Sequence, residues 1–469
     1  MTTWHLATFE PQLKSQTIDG ATQYSFSLGR HLQESGFLFK PHLFEDTVAA
    51  QKKFACFLQE HNGIVLSSIG PYAYLYHYIR EKFNLDFPIV RDIHGGAWTG
   101  YLMQEWLCSS LTRPGDAIIF PSNYSRSLFA DLFPRCASKA RLLVAHPRYQ
   151  GSQFPPWKPK QRDASLVKIG CIGRLSHDKN VLEMINAVLI IQKRHPQTRI
   201  ELHLIGGEYD LTMKSIRKHW IALGGDQDKL IYWGTKLPQE LIDLFYKTID
   251  VLAFFSTSNV ETLGRVVIEA RHACVPVCMA RHAAARELVD ARCQIPVHYF
   301  SRRISCHNCE PMGEIDPKIA AIMLWETATK QIPPTANNEQ FHFEPFTNML
   351  KLLAKSQLPD TLTNVKPVAH KLHISLCEIP EKQEAMDVIN YLRNHFKYWL
   401  GLNPRDKRRL KSELLEKTKD MARSKHFLET VHLKQVNYSD LAAFPFNLAQ
   451  LCNFHPTVNP WKNNPMERR

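Results

Sequence analysis

Arg174 and Lys179 stand in the segment Gly173-Arg174-Leu175-Ser176-His177-Asp178-Lys179-Asn180, directly after an apolar run with strand character and before a helical pattern. A glycine permits a tight exit from a strand, and the turn then aims two cations into one cleft. Arginine forks onto paired phosphate oxygens, whereas lysine acts as a compact point charge. Farther on, Glu261-Thr262-Leu263-Gly264-Arg265-Val266-Val267-Ile268-Glu269 follows a second apolar run and a polar loop, Ser256-Thr257-Ser258-Asn259, suited to capping a helix. Gly264 lets the backbone approach a ligand closely. This spacing puts Glu261 in the loop before the helix and Glu269 about two turns into it, so that both face the cleft at different depths. A carboxylate accepts from adjacent sugar hydroxyls in a bidentate manner. A surface turn with two solvated cations and an exposed helix face with two glutamates are the bland readings of the same residues.

These types together would suit transfer of a sugar from a nucleotide diphosphate. The departing diphosphate must be neutralised, and the electron-poor ring of an oxocarbenium-like transition state must be held against an acceptor. Cationic side chains and helix N-termini meet the first demand without a metal ion.

The elements that must position these residues alternate along the chain. Trp4–Phe9, Gly63–Ser68, Phe87–Ile93 and Ala117–Ser122 read as strands with helical patterns between them, and Ala21–Ser35 as a helix stopped by Gly36. A proline- and lysine-rich stretch, Phe154–Arg162, reads as a linker. A fresh series follows, with strands at Val167–Ile172, Ile200–Ile205, Leu230–Trp233, Val251–Phe255 and Val275–Met279, and helices at Val181–Arg194 and Leu237–Lys247. Such alternation predicts two doubly wound α/β domains with parallel sheets, and ligands where strand C-termini meet helix N-termini. Beyond Cys293 the pattern weakens, and Pro404–Gln435 returns to helical composition with charges at i, i+4 spacing.

The 469 residues exceed the usual size of one hydrophobic core, which also predicts more than one domain. A formal charge of +13 favours anionic partners, but it is spread rather than striped and no nucleic-acid motif accompanies it. The basic run Arg405–Lys411 reads as a solvated helix face, with peripheral contact to an anionic membrane surface as the alternative. No charged n-region followed by an apolar h-region opens the chain, and no apolar run reaches about 18 residues. The expectation is a cytoplasmic protein. The 11 scattered cysteines read as buried hydrophobes, and the pair Cys306 and Cys309, lacking a second ligand pair, as a loop and not a metal site.

From Val167 to Val289 the chain resembles the nucleotide-binding domain of retaining glycosyltransferases of family 4. GRLSHDKN (Gly173–Asn180) is similar to the family's diphosphate motif, and HLIGG (His203–Gly207) to its strand-glycine turn. LIYWGT (Leu230–Thr235), DVLAFFSTSN (Asp250–Asn259) and ETLGRVVIEARHACVPV (Glu261–Val277) follow in the family's order. More weakly, DGATQYSFSLGRHLQESG (Asp19–Gly36) resembles the opening glycine loop and first helix, and RDIHGG (Arg91–Gly96) the strand end that carries an active-site histidine. SNYSRSLF (Ser122–Phe129) is similar to the segment before the crossover, and ARSKHFLETVHLKQV (Ala422–Val436) to the closing helix.

The resemblance implies a GT-B fold: two Rossmann-like doubly wound domains, an interdomain cleft, and C-terminal helices packing back on the N-terminal domain. The divisions expected are an acceptor domain over 1–155, a sugar-nucleotide domain over 163–292, an irregular insertion over 293–402 and a helical region over 403–469. It implies His94, Arg174, Lys179 and Glu261 as catalytic residues, His94 contacting the transferred sugar. Gly20, Arg174, Lys179, Gly206, Glu261, Thr262, Leu263, Gly264 and Glu269 would bind the donor, with Glu261 on the hexose and Glu269 on the ribose. The activity implied is metal-independent, cofactor-free hexosyl transfer from a UDP- or GDP-sugar to a saccharide or glycolipid, in polysaccharide or lipopolysaccharide assembly. A phosphorylase or sugar-phosphate synthase of the same fold, and a non-catalytic sugar-nucleotide-binding subunit, are the alternatives. Three departures bear on donor identity: Cys274 replaces a common glycine, which calls for strain or avoidance of positive φ. Thr262-Leu263 replaces Gly-Phe, and Arg281-His282-Ala283-Ala284 replaces Asp-x-Gly-Gly.

Overall fold

A computed structural model of the chain describes residues 3–8, 28–29, 31–60, 63–67, 72–96, 99–147, 155–161, 163–300, 311–333, 341–355 and 381–401. Two parallel six-stranded sheets organise them. The first runs β2-β1-β3-β4-β5-β6, with β1 at Thr3–Thr8, β2 at Leu38–Leu43, β3 at Ile64–Ser67, β4 at Ile89–Asp92, β5 at Ala117–Phe120 and β6 at Arg141–Val144. The short central strands β3, β4 and β5 are buried along their whole length, the pattern of a sheet covered on both faces.

The second sheet runs β9-β8-β7-β10-β11-β12, with β7 at Leu166–Ile172, β8 at Arg199–Ile205, β9 at Leu230–Gly234, β10 at Val251–Phe254, β11 at Val277–Ala280 and β12 at Gln294–Ile295. From its first strand this is the order 3-2-1-4-5-6 of dinucleotide-binding sheets. Its strand order reverses between β7 and β10, the place where sheets of this order form a crevice at the strand C-termini. The helix Val181–Arg194 turns Met184, Ile185, Val188 and Ile191 into the core, and Trp220 and Phe255 are fully buried there.

The two strands of the first sheet that the sequence pattern passed over lie on its two edges. β2, LFKPHL, contains Pro41, which removes an amide donor that only an edge strand tolerates. β6, Arg141–Val144, is buried only at Leu142 and Leu143, unlike the fully buried central strands of the same length.

The span 293–402 supplies helices to both sheets. Pro317–Lys330 buries Ala320, Ala321 and Leu324 against the second sheet's core. Phe343–Ala354 instead packs Phe343, Phe346, Leu350 and Leu353 with Trp4, Ile64 and Val90 under the first sheet. Truncating a side chain such as Phe346 to alanine costs about 3–5 kcal/mol in comparable cores. Lys382–Gly401 also returns to the first domain, where Ala385, Val388, Ile389 and Leu392 pack with Tyr78 and Ile79. Arg393 reaches the carbonyls of Val48 and Ala49, and Tyr78 donates to Asn390 at 2.9 Å. The expected helices at Pro404–Gln435 and Ala422–Val436, and the Cys306/Cys309 loop, lie outside the described residues.

The connecting stretch 155–161 is tied to the second domain. Lys160 Nζ donates to the carbonyls of Tyr246 at 2.5 Å and Ile249 at 2.9 Å, capping the helix Gln239–Thr248. Burial pushes the Lys160 ammonium down to about 8, against the opposing charge of Asp250. The guanidinium of Arg271 lies over the Trp157 ring, 5.8 Å from its centroid.

Candidate functional site

The crevice between β7 and β10 is built from two strand exits. After β7, Gly173 adopts φ 151° and the chain passes Arg174, then a single 3-10 turn, His177–Lys179. Asp178 is fully buried beneath the turn, where it accepts from Ser176 Oγ and, at 3.1 Å, from Arg174 Nη2. The Arg174 guanidinium also lies 5.0 Å from the Tyr209 ring centroid, so an ion pair and a ring face fix its direction. Asn180 follows in the left-handed region at φ 51°, a conformation asparagine tolerates, and starts the helix Val181–Arg194. Its amide donates to the Phe255 carbonyl at 2.8 Å and to Thr257 Oγ1 at 3.0 Å, fastening the β7 exit to the β10 exit.

The loop after β10 brings its carboxylate to this turn. Lys179 Nζ lies 2.7 Å from Glu261 Oε2 and 3.0 Å from Ser256 Oγ, and the serine donates to the same carboxylate oxygen at 3.2 Å. Burial pushes the Glu261 carboxyl up, but the Lys179 ammonium, its hydrogen bond, His282 and Ser256 outweigh this and hold it below the ordinary carboxylate range. The site therefore keeps an ionised carboxylate and a cation side by side in a mostly dry crevice.

The other residues singled out in the sequence fall as follows. Gly206, at the end of β8 with φ 150°, packs so closely on the β7 exit that a Cβ there would meet the Gly173 carbonyl oxygen at 1.6 Å. Gly264 starts the helix Arg265–His272 at φ 84°, and a Cβ there would meet the Phe254 ring at 2.9 Å. Leu263 is turned into the core with Ile205, Phe254 and Val267. Thr262 Oγ1 donates to the carbonyl of His94 at 3.1 Å, joining the loop after β10 to the end of β4. The His94 imidazole is 3.3 Å from Asp92 Oδ2, and its ring meets that of His146 edge-on at 5.9 Å. Glu269 is the fifth residue of its helix, a little over one turn in where the sequence suggested two, because the helix begins only after Gly264. Its carboxylate accepts from Tyr246 Oη at 2.8 Å, and Arg265 is 3.9 Å away. Gly20 lies outside the described residues.

The structure thus joins Lys179 to Glu261 and Thr262 to His94, with Arg174 directed by Asp178. Glu269 is turned to the neighbouring helix. Ser256, Asp178 and Tyr209 complete the crevice but were missed in the sequence. Asp178 and Ser256 lay inside segments already singled out, whereas Tyr209 had no signal beyond its place after the β8 turn. The replaced motif Arg281-His282-Ala283-Ala284 places His282 with Nε2 2.8 Å from the Ser258 carbonyl and Nδ1 3.2 Å from Tyr299 Oη, bracing the loop from behind.

Residues 167–298 match the glycosyl transferases group 1 family. That stretch contains both strand exits, with Arg174, Lys179 and Glu261. No curated protein matches the chain. Among solved structures, the Anabaena HepE protein in complex with UDP aligns with a TM-score of 0.51 at 16% identity, over 76% of this chain and 100% of its own. The α,α-trehalose 6-phosphate synthase of Burkholderia multivorans aligns with a TM-score of 0.47 at 11% identity, over 76% and 98%. The fold, with its two parallel Rossmann-like sheets, is the GT-B fold.

Proposed function

We propose that the chain is a retaining hexosyltransferase of the family 4 kind, taking its sugar from a UDP- or GDP-hexose. The observation that carries this reading is the Lys179–Glu261 pair across the β7/β10 crevice, with Arg174 aimed by Asp178 beside it. A diphosphate entering the crevice meets Lys179, Arg174 and the start of the helix Val181–Arg194, which supply positive charge with no metal ion needed. Glu261 then accepts from hydroxyls of the hexose, Glu269 serves the ribose, and the His94 strand end closes over the sugar from the first domain. Gly20 lines the diphosphate or the acceptor. In the transfer, the bond from the anomeric carbon to the phosphate oxygen breaks and a bond to the acceptor oxygen forms on the same face. The acceptor's proton passes to the leaving phosphate. The family match over 167–298 supports the donor site, and the UDP named for the HepE structure supports uridine as the first base to try. The acceptor is a saccharide or glycolipid, in polysaccharide or lipopolysaccharide assembly. The place of action is the cytoplasm, where the net charge of +13 favours peripheral contact with an anionic membrane face.

The test is a thermal-shift panel of UDP-, GDP- and ADP-sugars, followed by transfer assays with the sugar that raises the melting point most. Transfer to a saccharide or lipid acceptor with retained anomeric configuration is expected. Formation of sugar 1-phosphate by cleavage of a glycoside with inorganic phosphate, or transfer only onto a sugar phosphate, would replace this reading by the phosphorylase or synthase alternative. Binding without any turnover would make the chain a non-catalytic subunit.

A further inference from the structure

Glu287 belongs to the second domain, on the short helix Ala285–Leu288, but its carboxylate is spent on the first. Its Oε2 accepts from the amide of Asn123 at 2.9 Å and from Asn123 Nδ2 at 3.0 Å, and its Oε1 accepts from the amide of Tyr124 at 2.7 Å. Those amides open the helix Asn123–Leu132, where backbone donors have no partner within the helix and the helix dipole favours an anion. The third amide of that turn, from Ser125, goes to the helix's own cap, Ser122 Oγ, at 3.1 Å. Ser122 Oγ in turn donates to the carbonyl of Thr262 at 2.7 Å, and Ser125 Oγ approaches the same carbonyl at 3.5 Å. Thr262 is the residue after Glu261. One helix start therefore receives two grips from the second domain, one from Glu287 and one through the donor loop itself.

The loop is seated on its other side as well. Thr262 Oγ1 holds the His94 carbonyl, and a Cβ on Gly96 would lie 2.4 Å from the Asn259 carbonyl oxygen, so the two backbones touch there. The same clamp brings the Tyr124 ring to 6.3 Å from that of His282, which braces Ser258. Burial, then the neighbouring Tyr299 and Glu261, push the Tyr124 phenol up, as expected of a group facing the donor loop's carboxylate.

We infer that Glu287 and Ser122 are positioning residues for the transfer proposed above: together they seat the start of the helix Asn123–Leu132 against the donor loop, setting domain closure and the aim of Glu261 at once. The inference rests on that donor-site reading. It also makes a statement about domain closure that holds without it. Neither side chain lies among those assigned to the diphosphate, so removing one should impair turnover while leaving nucleotide binding in place.

The test uses the full chain and three variants, Glu287→Ala, Glu287→Gln and Ser122→Ala, each checked for folding by its melting curve. With UDP as the probe in calorimetry, Glu287→Ala should bind within about twofold of the wild type, because Arg174, Lys179 and Glu261 all belong to the second domain. Its kcat should fall about tenfold or more, as misplacement of reacting groups across a cleft demands. Glu287→Gln should recover part of the loss, since its carbonyl oxygen still accepts an amide. Combining Glu287→Ala with Ser122→Ala should cost less than the product of the two effects, because both loosen one seat. Small-angle X-ray scattering should show a larger radius of gyration for Glu287→Ala than for the wild type. A Glu287→Ala chain with wild-type kcat and an unchanged scattering profile would overturn the inference, as would equal losses in UDP affinity and turnover. If the wild-type chain transfers no sugar, the function reading fails, and the scattering comparison alone decides the closure role: expansion supports it and an unchanged profile overturns it.

Discussion

Lys179 Nζ and Glu261 Oε2 are 2.7 Å apart, and Ser256 Oγ lies within hydrogen-bonding distance of both. The ammonium comes from the exit of β7 and the carboxylate from the exit of β10, so the contact spans the point where the strand order reverses. On the function proposed above, a donor entering there would meet a cation for its diphosphate and an anion for its sugar already held together.

Removing either charge should therefore affect activity far more than fold. Glu261→Gln is expected to lower kcat about a hundredfold or more while keeping its hydrogen-bonding shape. Lys179→Ala should do the same and also lose stability, on the order of 1–3 kcal/mol, because it leaves the carboxylate short of its cation in a dry crevice. The pair's stabilisation should persist through mildly acidic pH. Glu261's folded value is held below the usual 4.5, so its contribution is complete above 4.5 and fades only as pH falls through the lower folded value. Steady-state kinetics and melting curves on the two variants check this.

Gly206 and Gly207 make a matched pair of substitutions. A Cβ at Gly206 would strike the Gly173 carbonyl oxygen at 1.6 Å, and the residue's φ of 150° disfavours any side chain. At Gly207 the added carbon meets only Thr235 Oγ1, at 3.4 Å. Gly206→Ala should cost about 3 kcal/mol or more and pry apart the β7 and β8 exits, with loss of nucleotide binding. Gly207→Ala should stay within about 1 kcal/mol of the wild type. Equal melting points for the two variants would remove Gly206 from the crevice floor.

The second domain was far more legible in the sequence than the first. Its strands are apolar runs bounded by glycine or polar turns, and Val181–Arg194 came out at its true limits because its 3.6-residue periodicity is unbroken. Arg174 and Lys179 could be found because both follow one strand within a single turn. Their partners could not be read. Ser256 is 77 residues from Lys179, and Glu287 is 164 from Asn123, so only the folded sheets bring them together. In the first domain, β2 was hidden by Pro41, and part of the core comes from Phe343, Phe346 and Ile389, which arrive from the far side of the second domain. A pattern read along the chain assigned those residues to an insertion because their apolar faces have no neighbour in sequence to pack against.

Two histidines on β1 and β2 of the first sheet should make that domain sensitive to mild acid. Burial, then the charge of Lys40, pulls His5 down to about 4, and burial, then His5, pulls His42 to about 3. Both are neutral when folded and would take up protons near pH 6.5 once exposed. The unfolded chain thus binds more protons throughout the interval from about 6.5 down to these values, so stability falls with pH across it. The slope is at most about 1.4 kcal/mol per pH unit for each imidazole. Melting curves between pH 7.5 and 5 should show this decline, and His5→Leu should flatten it whatever it does to the absolute midpoint. An equally steep decline in His5→Leu would acquit that residue.

Cys274 stands at φ 54°, in the left-handed region that favours glycine. The structure accepts the strain that the sequence posed as one of two outcomes. The turn follows the helix Arg265–His272 and leads into β11, and the Val275 amide donates to the Ala270 carbonyl at 2.8 Å, so the conformation is set by the helix end and not by the cysteine. The side chain returns little: its thiol is 3.6 Å from the Pro156 carbonyl, a weak contact. Cys274→Gly should relieve the crowding of Cβ on the carbonyl, worth about 1–2 kcal/mol, and lose part of that to the greater freedom of glycine in the unfolded chain. A net gain of about 0.5–1 kcal/mol is expected, read as a higher midpoint in denaturant with an unchanged slope. Cys274→Val should lose stability, because a β-branched side chain fits this region worse than cysteine does. A destabilised Cys274→Gly would mean that the thiol's contact with the connecting stretch outweighs the backbone strain.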